Sequence, residues 1–260
     1  MPPERDLYED AELYDRIVSP PSDSVDFYRT EARTTSGDLL ELACGTGRLT
    51  IPLALDLTRQ DRGVTGLDQA PAMLEAARRK AADAGATIEW VAGDMRNFAL
   101  GRRFGFIFVA FNSMLHLTTN DALGECFACV RAHLAPGGTF AFDIFNPSIP
   151  LLARARDERS TVMRLHDPKL GEVHVETTID YDAATQVNRG AWIFSAAGRP
   201  DYLTVPLHLR SIFPQELPML LAANGLELMT RYGDYGREPF TNESARQVCT
   251  CRVMPSTAER

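Results

Sequence analysis

Asp38-Leu-Leu-Glu-Leu-Ala-Cys-Gly-Thr-Gly-Arg48 is the stretch whose reading decides the fold. Leu39 to Ala43 is a short apolar run of the length a buried parallel strand has. The chain then turns through Gly45 and Gly47, and Leu49, Ile51, Pro52, Leu53 and Leu55 continue as a helix. Strand, glycine turn and helix open a nucleotide-binding α/β domain, because two glycines let the backbone approach a ligand closely. A dinucleotide suits this turn poorly. Thr50 fills the third small position of G-x-G-x-x-G, and Glu41 is an unusual residue inside such a strand.

Outward from this stretch the pattern repeats. Gly63-Val-Thr-Gly-Leu67 reads as a second strand ending in Asp68, about twenty positions past the glycine turn, where a carboxylate accepts hydrogen bonds from ribose hydroxyls. Asp68 can also cap the helix that follows. That helix opens at Gln69-Ala-Pro71, runs from Ala72 to about Ala84 and stops at Gly85. Thr87 to Val91 is a third strand closed by Gly93-Asp94-Met95. Phe104 to Ala110, apolar throughout, is a central fourth strand leading into the loop Phe111-Asn-Ser-Met-Leu-His116. Asn120 to Leu134 is helical, with Leu123, Phe127, Val130 and Leu134 on one face, and Pro136-Gly-Gly138 turns the chain into a fifth strand, Thr139 to Phe145.

These residues resemble the class I S-adenosylmethionine (SAM)-dependent methyltransferases. Their first motif, E/D-x-G-x-G-x-G, reads here Glu41-Leu-Ala-Cys-Gly-Thr-Gly47, with Ala43 where the family often has a glycine. The approach Leu134-x-Pro-Gly-Gly138 is a second signature. The resemblance implies a doubly wound, seven-stranded Rossmann-like α/β sheet and SAM as cofactor. It places Glu41, Ala43, Gly45, Gly47, Asp68, Gln69, Met73, Asp94, Met95, Phe111 and Asn112 around that cofactor, Asp94 at the adenine amino group and Met95 on the ring. It also puts Tyr14, in a Tyr-Asp element, near the SAM carboxylate and sulfonium. Base-amine methyltransferases carry D/N-P-P-Y/F after the fourth strand. Phe111-Asn112-Ser113 departs from this, and Asn146-Pro147-Ser148 follows the wrong strand. The closest likeness is to small-molecule members with a strand excursion after the fifth strand, such as nucleotide-sugar N,N-dimethyltransferases and glycine N-methyltransferase-like enzymes.

The organisation expected is a helical cap over residues 1–35, a SAM-binding core over 36–146 and 214–254, and an inserted antiparallel β meander over 147–213 on the substrate side. In the cap, Tyr8, Leu13, Tyr14 and Ile17 recur at helical spacing, Ser19-Pro20-Pro21 breaks the run, and a second helix carries Val25, Phe27, Tyr28 and Ala32. Tyr8 is expected to pack on the sheet edge. The meander reads as Thr161–His166, Glu172–Tyr181, Gln186–Phe194 and Tyr202–Phe213. In its last strand Pro206 suggests an edge or a bulge, and His208 with Arg210 is placed to hold an acidic acceptor. The core resumes with a helix near Pro214–Leu217, a strand Leu226–Arg231 and a final strand Arg246–Val253, the last pair antiparallel.

Methyl transfer from a sulfonium asks mainly for alignment and desolvation. A base matters when the acceptor arrives protonated, and His116, just beyond the fourth strand, is the candidate, with Tyr14 beside it. The expected activity is SAM-dependent methylation of nitrogen or oxygen in a small-molecule acceptor, an amine favoured. The alternatives are a NAD-binding oxidoreductase, which would lack a Tyr-x-x-x-Lys pair since Lys80 and Lys169 are the only lysines, and a SAM-binding subunit without catalysis.

Bulk properties set the remaining bounds. The 260-residue chain is 45% hydrophobic and 24% charged, with net charge −8 and no basic cluster, which argues against a nucleic-acid backbone as main partner. No apolar run reaches membrane-span length, and Met1-Pro-Pro-Glu-Arg-Asp6 is not a signal peptide. Five cysteines without framework spacing suit a reducing cytoplasm. Cys126 and Cys129 form a C-x-x-C on a helix, where core packing explains them, and no metal-ligand cluster is expected. Oligomeric state stays open, a homodimer included.

Overall fold

The computed structural model describes residues 6–18, 21, 23–57 and 61–255. The reading of Met1 to Arg5 and of Ser19-Pro20 as a helix breaker lies outside the described residues.

A 3-10 turn at Leu7–Glu9 leads into α1 (Ala11–Ile17), followed by α2 (Ser24–Thr34). The alternating core then runs β1 (Leu39–Leu42), α3 (Thr50–Leu57), β2 (Val64–Asp68), α4 (Pro71–Ala84), β3 (Glu89–Ala92), β4 (Phe104–Val109), α5 (Asn120–His133) and β5 (Leu134–Phe145). After a short α6 (Ile149–Leu152) come β6 (Ser160–Asp167), β7 (Gly171–Thr178), β8 (Tyr181–Asp182), β9 (Val187–Ala196) and β10 (Arg199–Arg210). The chain closes with α7 (Glu216–Ala223), β11 (Leu226–Tyr232) and β12 (Arg246–Val253).

The main sheet has the order β11-β12-β5-β4-β1-β2-β3. β1 pairs in parallel with both β2 and β4, so the strand order reverses beside it, and ligands bind outside the carboxyl ends of strands at such a point. β12 runs antiparallel to both β5 and β11, which makes it the one reversed strand of this sheet. β1 and β4 are buried at every residue, as continuous apolar runs must be when helices cover both faces.

Strand alternation divides that burial between two cores. Leu40, Leu42, Ile107 and Val109 pack with Phe127 of α5 and Leu217 of α7. Leu39, Phe106 and Phe108 pack with Phe27 and Tyr28 of α2 and Leu53 of α3. Each such side chain, fully buried, contributes roughly 1.5–3 kcal/mol relative to exposure. Phe27 and Tyr28 therefore belong to a covering layer of the main sheet, and the helical cap expected over residues 1–35 divides in two. Only the first part, Leu7, Leu13 and Ile17, packs on the insertion, against Val173, Val175, Phe194, Leu203 and Val205.

The insertion is the expected meander, ordered β10-β9-β7-β6, with β8 pairing β9. Pro206 sits on the edge strand β10 opposite Ala191, and the register shift lies elsewhere, between Arg199 and Leu203. An edge tolerates a residue that donates no hydrogen bond. β5 begins at Leu134 because Leu134 already pairs with Phe104; the expected turn Pro136-Gly-Gly138 is an irregularity within the strand.

Candidate active site

A cleft of about 1400 Å³ opens at the carboxyl ends of the central strands, between the main sheet, the N-terminal segment and the inserted sheet. Single small-molecule sites usually span roughly 300–1,000 Å³. This one has room for two ligands.

The floor is the glycine turn. Ala43, Gly45 and Gly47 all take left-handed backbone, with φ of 54°, 55° and 79°. Gly47 allows no side chain, since a Cβ there would lie 2.9 Å from the Trp90 ring. Its carbonyl accepts from Ile51 N at 2.9 Å and so starts α3. Asp68 ties the turn to the next βα junction: its Oδ2 accepts from Gly45 N at 2.7 Å and its Oδ1 from Ala70 N at 2.8 Å. Burial raises the Asp68 carboxyl above its usual range, with the backbone N–H groups opposing.

Glu41 and Thr50, the two residues that spoil the dinucleotide reading, are partners. The Thr50 hydroxyl donates to Glu41 Oε2 behind the turn. Glu41 is buried, and that burial pushes its carboxyl up to about 8. Neither Glu41, Gly47 nor Met73 borders the cleft; Met73 is fully buried in α4. These three support the site from behind. Ala43, Gly45, Asp68, Gln69, Asp94, Met95, Phe111, Asn112, Tyr14, His116 and His208 all border the cleft.

Asp94 accepts from the Arg96 guanidinium, 2.5 Å from Nη2 to Oδ2, and from Arg96 N at 2.9 Å. The Arg96 hydrogen bond holds this carboxyl below the usual range, so it stays ionised. Across the cleft, Phe111 and Asn112 are consecutive non-glycine residues in left-handed conformation, φ 54° and 62°. Each costs about 1–2 kcal/mol. Asp143 on β5 holds them: Phe111 N donates to its Oδ1 at 3.0 Å and Asn112 N to its carbonyl at 3.3 Å. The Tyr28 hydroxyl donates to the same Oδ1 at 2.6 Å.

The N-terminal segment closes the site. On α1, Asp15 accepts from Thr46 Oγ1 at 2.7 Å, from Arg48 Nε at 3.0 Å and from Lys80 Nζ. Burial alone would raise the Asp15 carboxyl, but the hydrogen bonds from Lys80, Thr46 and Arg48 outweigh it and hold it low. This clamp sets the neighbouring Tyr14 beside Gly45 and under the Arg48 guanidinium, 5.1 Å from the ring centre. Burial pushes the Tyr14 phenol up to about 12.

Two expectations need correction. Tyr8 packs, partly buried, against the core of the inserted sheet, but packing is not its whole placement. It borders the cleft, with its hydroxyl 2.8 Å from His116 Nε2 and its ring 5.9 Å from that of Tyr14. Burial raises the Tyr8 phenol well above its ordinary value and lowers the His116 imidazole, so both are neutral near pH 7, although His116 reaches water through the open cleft. Arg210 does not join His208 at the acceptor. It is 6% exposed and spent on Glu216 Oε1 at 2.6 Å and Asn120 Oδ1 at 2.7 Å, where the starts of α7 and α5 meet β10.

Sequence reasoning missed Tyr8, Asp15, Tyr28 and Asp143. The Tyr-Asp element signalled Asp15, had both of its residues been given roles. Tyr28 and its partner Asp143 lie 115 residues apart, and nothing local marks either.

The residues present fit SAM. Asn112 Oδ1 is a buried acceptor without a protein partner at the cleft, and Ala43 and Gly45 keep the floor clear of bulky side chains. Comparisons agree. The Methyltransferase domain family matches residues 39–138. A Streptomyces venezuelae dTDP-3-amino-3,4,6-trideoxy-alpha-D-glucopyranose N,N-dimethyltransferase is 32% identical over 70% of this chain and 83% of its own length. The CcbJ methyltransferase of Streptomyces caelestis superposes with a TM-score of 0.79 at 26% identity, covering 96% of this chain and 99% of that one. The sugar N-methyltransferase KedS8 of Streptoalloteichus sp ATCC 53650 shares the fold, with a TM-score of 0.65 at 20% identity over 90% and 88%. The chain belongs to the class I SAM-dependent methyltransferases. It is an enzyme that methylates a small molecule rather than an oxidoreductase.

Proposed function

We propose that the enzyme methylates the nitrogen of a small-molecule amine. The observation that carries this is the Tyr8–His116 pair at the end of β4, facing the cofactor floor across the cleft. SAM supplies an electrophilic methyl: as the amine nitrogen bonds to it, the carbon–sulfur bond breaks, its electron pair stays on sulfur, and S-adenosylhomocysteine and a proton are left. Asp68 and Asp94 are the acceptors offered to the nucleoside part of SAM, with Met95 against the base. Tyr14, the small residues Ala43 and Gly45 of the turn and the Asn112 side chain are offered to its amino-acid end. Phe111 and Asn112 shape the wall where the methyl is passed on, and α1 keeps bulk water from the floor.

His116, held neutral, is able to take the proton that an ammonium acceptor must lose, directly or through the Tyr8 hydroxyl. The curated relative named above acts on a dTDP-linked amino sugar, which supports nitrogen over oxygen. Five free cysteines support a reducing, cytoplasmic setting, and the Phe111-Asn112-Ser113 loop supports a small molecule over a nucleobase. Among the described residues no helix is long and apolar enough to cross a membrane, and no three His, Cys, Asp or Glu side chains gather as a metal site requires.

The test is a panel of matched amines, phenols, alcohols and carboxylates scored for S-adenosylhomocysteine release. Amines alone should be turned over. Turnover confined to phenols or alcohols would move the assignment to oxygen.

A further inference from the structure

The cleft divides into two halves of different chemistry. The half over the glycine turn is polar and is accounted for by SAM. The outer half is walled by Ile17 and Val18 from the N-terminal segment and by Met163, Trp192, Pro206 and Leu207 from the inserted sheet. Val18, Met163, Trp192 and Leu207 are only partly buried against the insertion's core, so they keep apolar surface for a ligand. A partly exposed tryptophan beside a methionine suits a flat or apolar ligand face.

Charge points the same way. Among the described residues, five carboxylates border the cleft: Asp6, Glu9, Asp68, Asp94 and Asp143. The guanidiniums bordering it are those of Arg96 and Arg246. Arg96 is bound to Asp94. Arg246 Nε lies 3.5 Å from Asp234, its guanidinium covers the Tyr235 ring at 4.8 Å, and its charge is felt by the buried Asp143. A nucleoside diphosphate brings about two negative charges and needs unshared cations to receive them. With Asp68 and Asp94 taken by SAM and Asp143 buried against Tyr28 and the Phe111 amide, the carboxylates left to face it are the exposed Asp6 and Glu9, and like charges facing each other across a site cost several kcal/mol. A protonated amine is drawn into the same field.

We propose that the acceptor is an amine carried on an uncharged body with an apolar or aromatic face, seated against Met163 and Trp192, and not a nucleotide-diphosphate sugar. This rests on the methyltransferase reading above and sets this enzyme apart from its dTDP-sugar relative.

The test compares two probes that share one amino sugar, a dTDP-3-amino-3,6-dideoxyglucose and the p-nitrophenyl glycoside of the same sugar. Binding to the full chain is measured by calorimetry with and without saturating S-adenosylhomocysteine. The aryl glycoside should bind at least tenfold more tightly than the dTDP sugar, and raising the salt should strengthen the weak dTDP-sugar binding by screening repulsion. Trp192→Ala should cut aryl-glycoside affinity about tenfold with S-adenosylhomocysteine affinity unchanged, and Trp192→Phe should restore most of it. Equal or tighter binding of the dTDP sugar overturns the proposal, and so does an aryl glycoside that does not bind. Failure of S-adenosylhomocysteine to bind would instead strike the methyltransferase reading, while the ranking of the two probes on the unloaded chain would still judge the wall.

Discussion

The Tyr8 hydroxyl and His116 Nε2 stand 2.8 Å apart, joining residues 108 positions apart across the mouth of the cleft. Their rings meet edge to face at 5.5 Å. A phenol that holds its proton and an imidazole that stays neutral are thereby fixed beside the place where an acceptor must lose one.

This pair predicts a pH profile. Burial lowers the His116 imidazole below its ordinary 6.5, so its base form persists into mildly acidic solution. The acidic limb of kcat should therefore fall below pH 6.5 and vanish in His116→Ala. Tyr8→Phe should lower kcat by about tenfold while leaving SAM affinity within about twofold. An unchanged acidic limb in His116→Ala would assign proton removal to water.

Asp15 predicts a binding defect far from the acceptor. Asp15→Ala leaves Arg48, 14% exposed, without its carboxylate and frees Thr46 and Lys80. A half-buried charge stripped of its partner costs about 1–3 kcal/mol. SAM affinity should weaken by about tenfold, read by calorimetry, with the chain still folded by circular dichroism. SAM binding that ignored the substitution would reduce Asp15 to a surface ion pair.

Glu41 predicts a slope in stability against pH. Its folded value of about 8 stands above the model-peptide 4.5, so the native state holds a proton that the unfolded chain has released. The stabilisation associated with that proton is complete below about pH 4.5 and is lost as the pH rises toward 8. Glu41→Gln cannot titrate, so its stability relative to wild type should rise between pH 5 and pH 8 in urea titrations. A constant difference across that window would contradict the buried, protonated carboxyl.

Ala43 carries a left-handed φ of 54° that glycine adopts freely. Ala43→Gly should stabilise the fold by about 0.5–1 kcal/mol, the strain relieved less the entropy that glycine adds to the unfolded chain, and SAM affinity should hold. A lower urea midpoint in the variant would show that the methyl group packs usefully.

Much of the fold was legible because it is written locally. The apolar runs at Leu39 and Phe104 are long enough to be strands and too apolar to be anything but central, and the acidic residues at their neighbours' ends face the cleft. Long-range choices were not legible. The alternation of β10 put His208 and Arg210 on one face, but only the meeting of α5 and α7 decides that Arg210 is enclosed while His208 faces the cleft. Two amphipathic N-terminal helices look alike in sequence, and what each packs on is settled by the two sheets. The cofactor motif could not announce Asp15, because its partners come from two places remote from it in sequence, Thr46 and Arg48 in the glycine turn and Lys80 on α4.

α1 touches both halves of the molecule at once, the glycine turn through Asp15 and the inserted sheet through Leu13 and Ile17. A short helix shared in this way makes cofactor and acceptor thermodynamic neighbours. Whichever ligand steadies it first has already met part of the ordering cost of the second, and by reciprocity each must tighten the other's binding by the same factor.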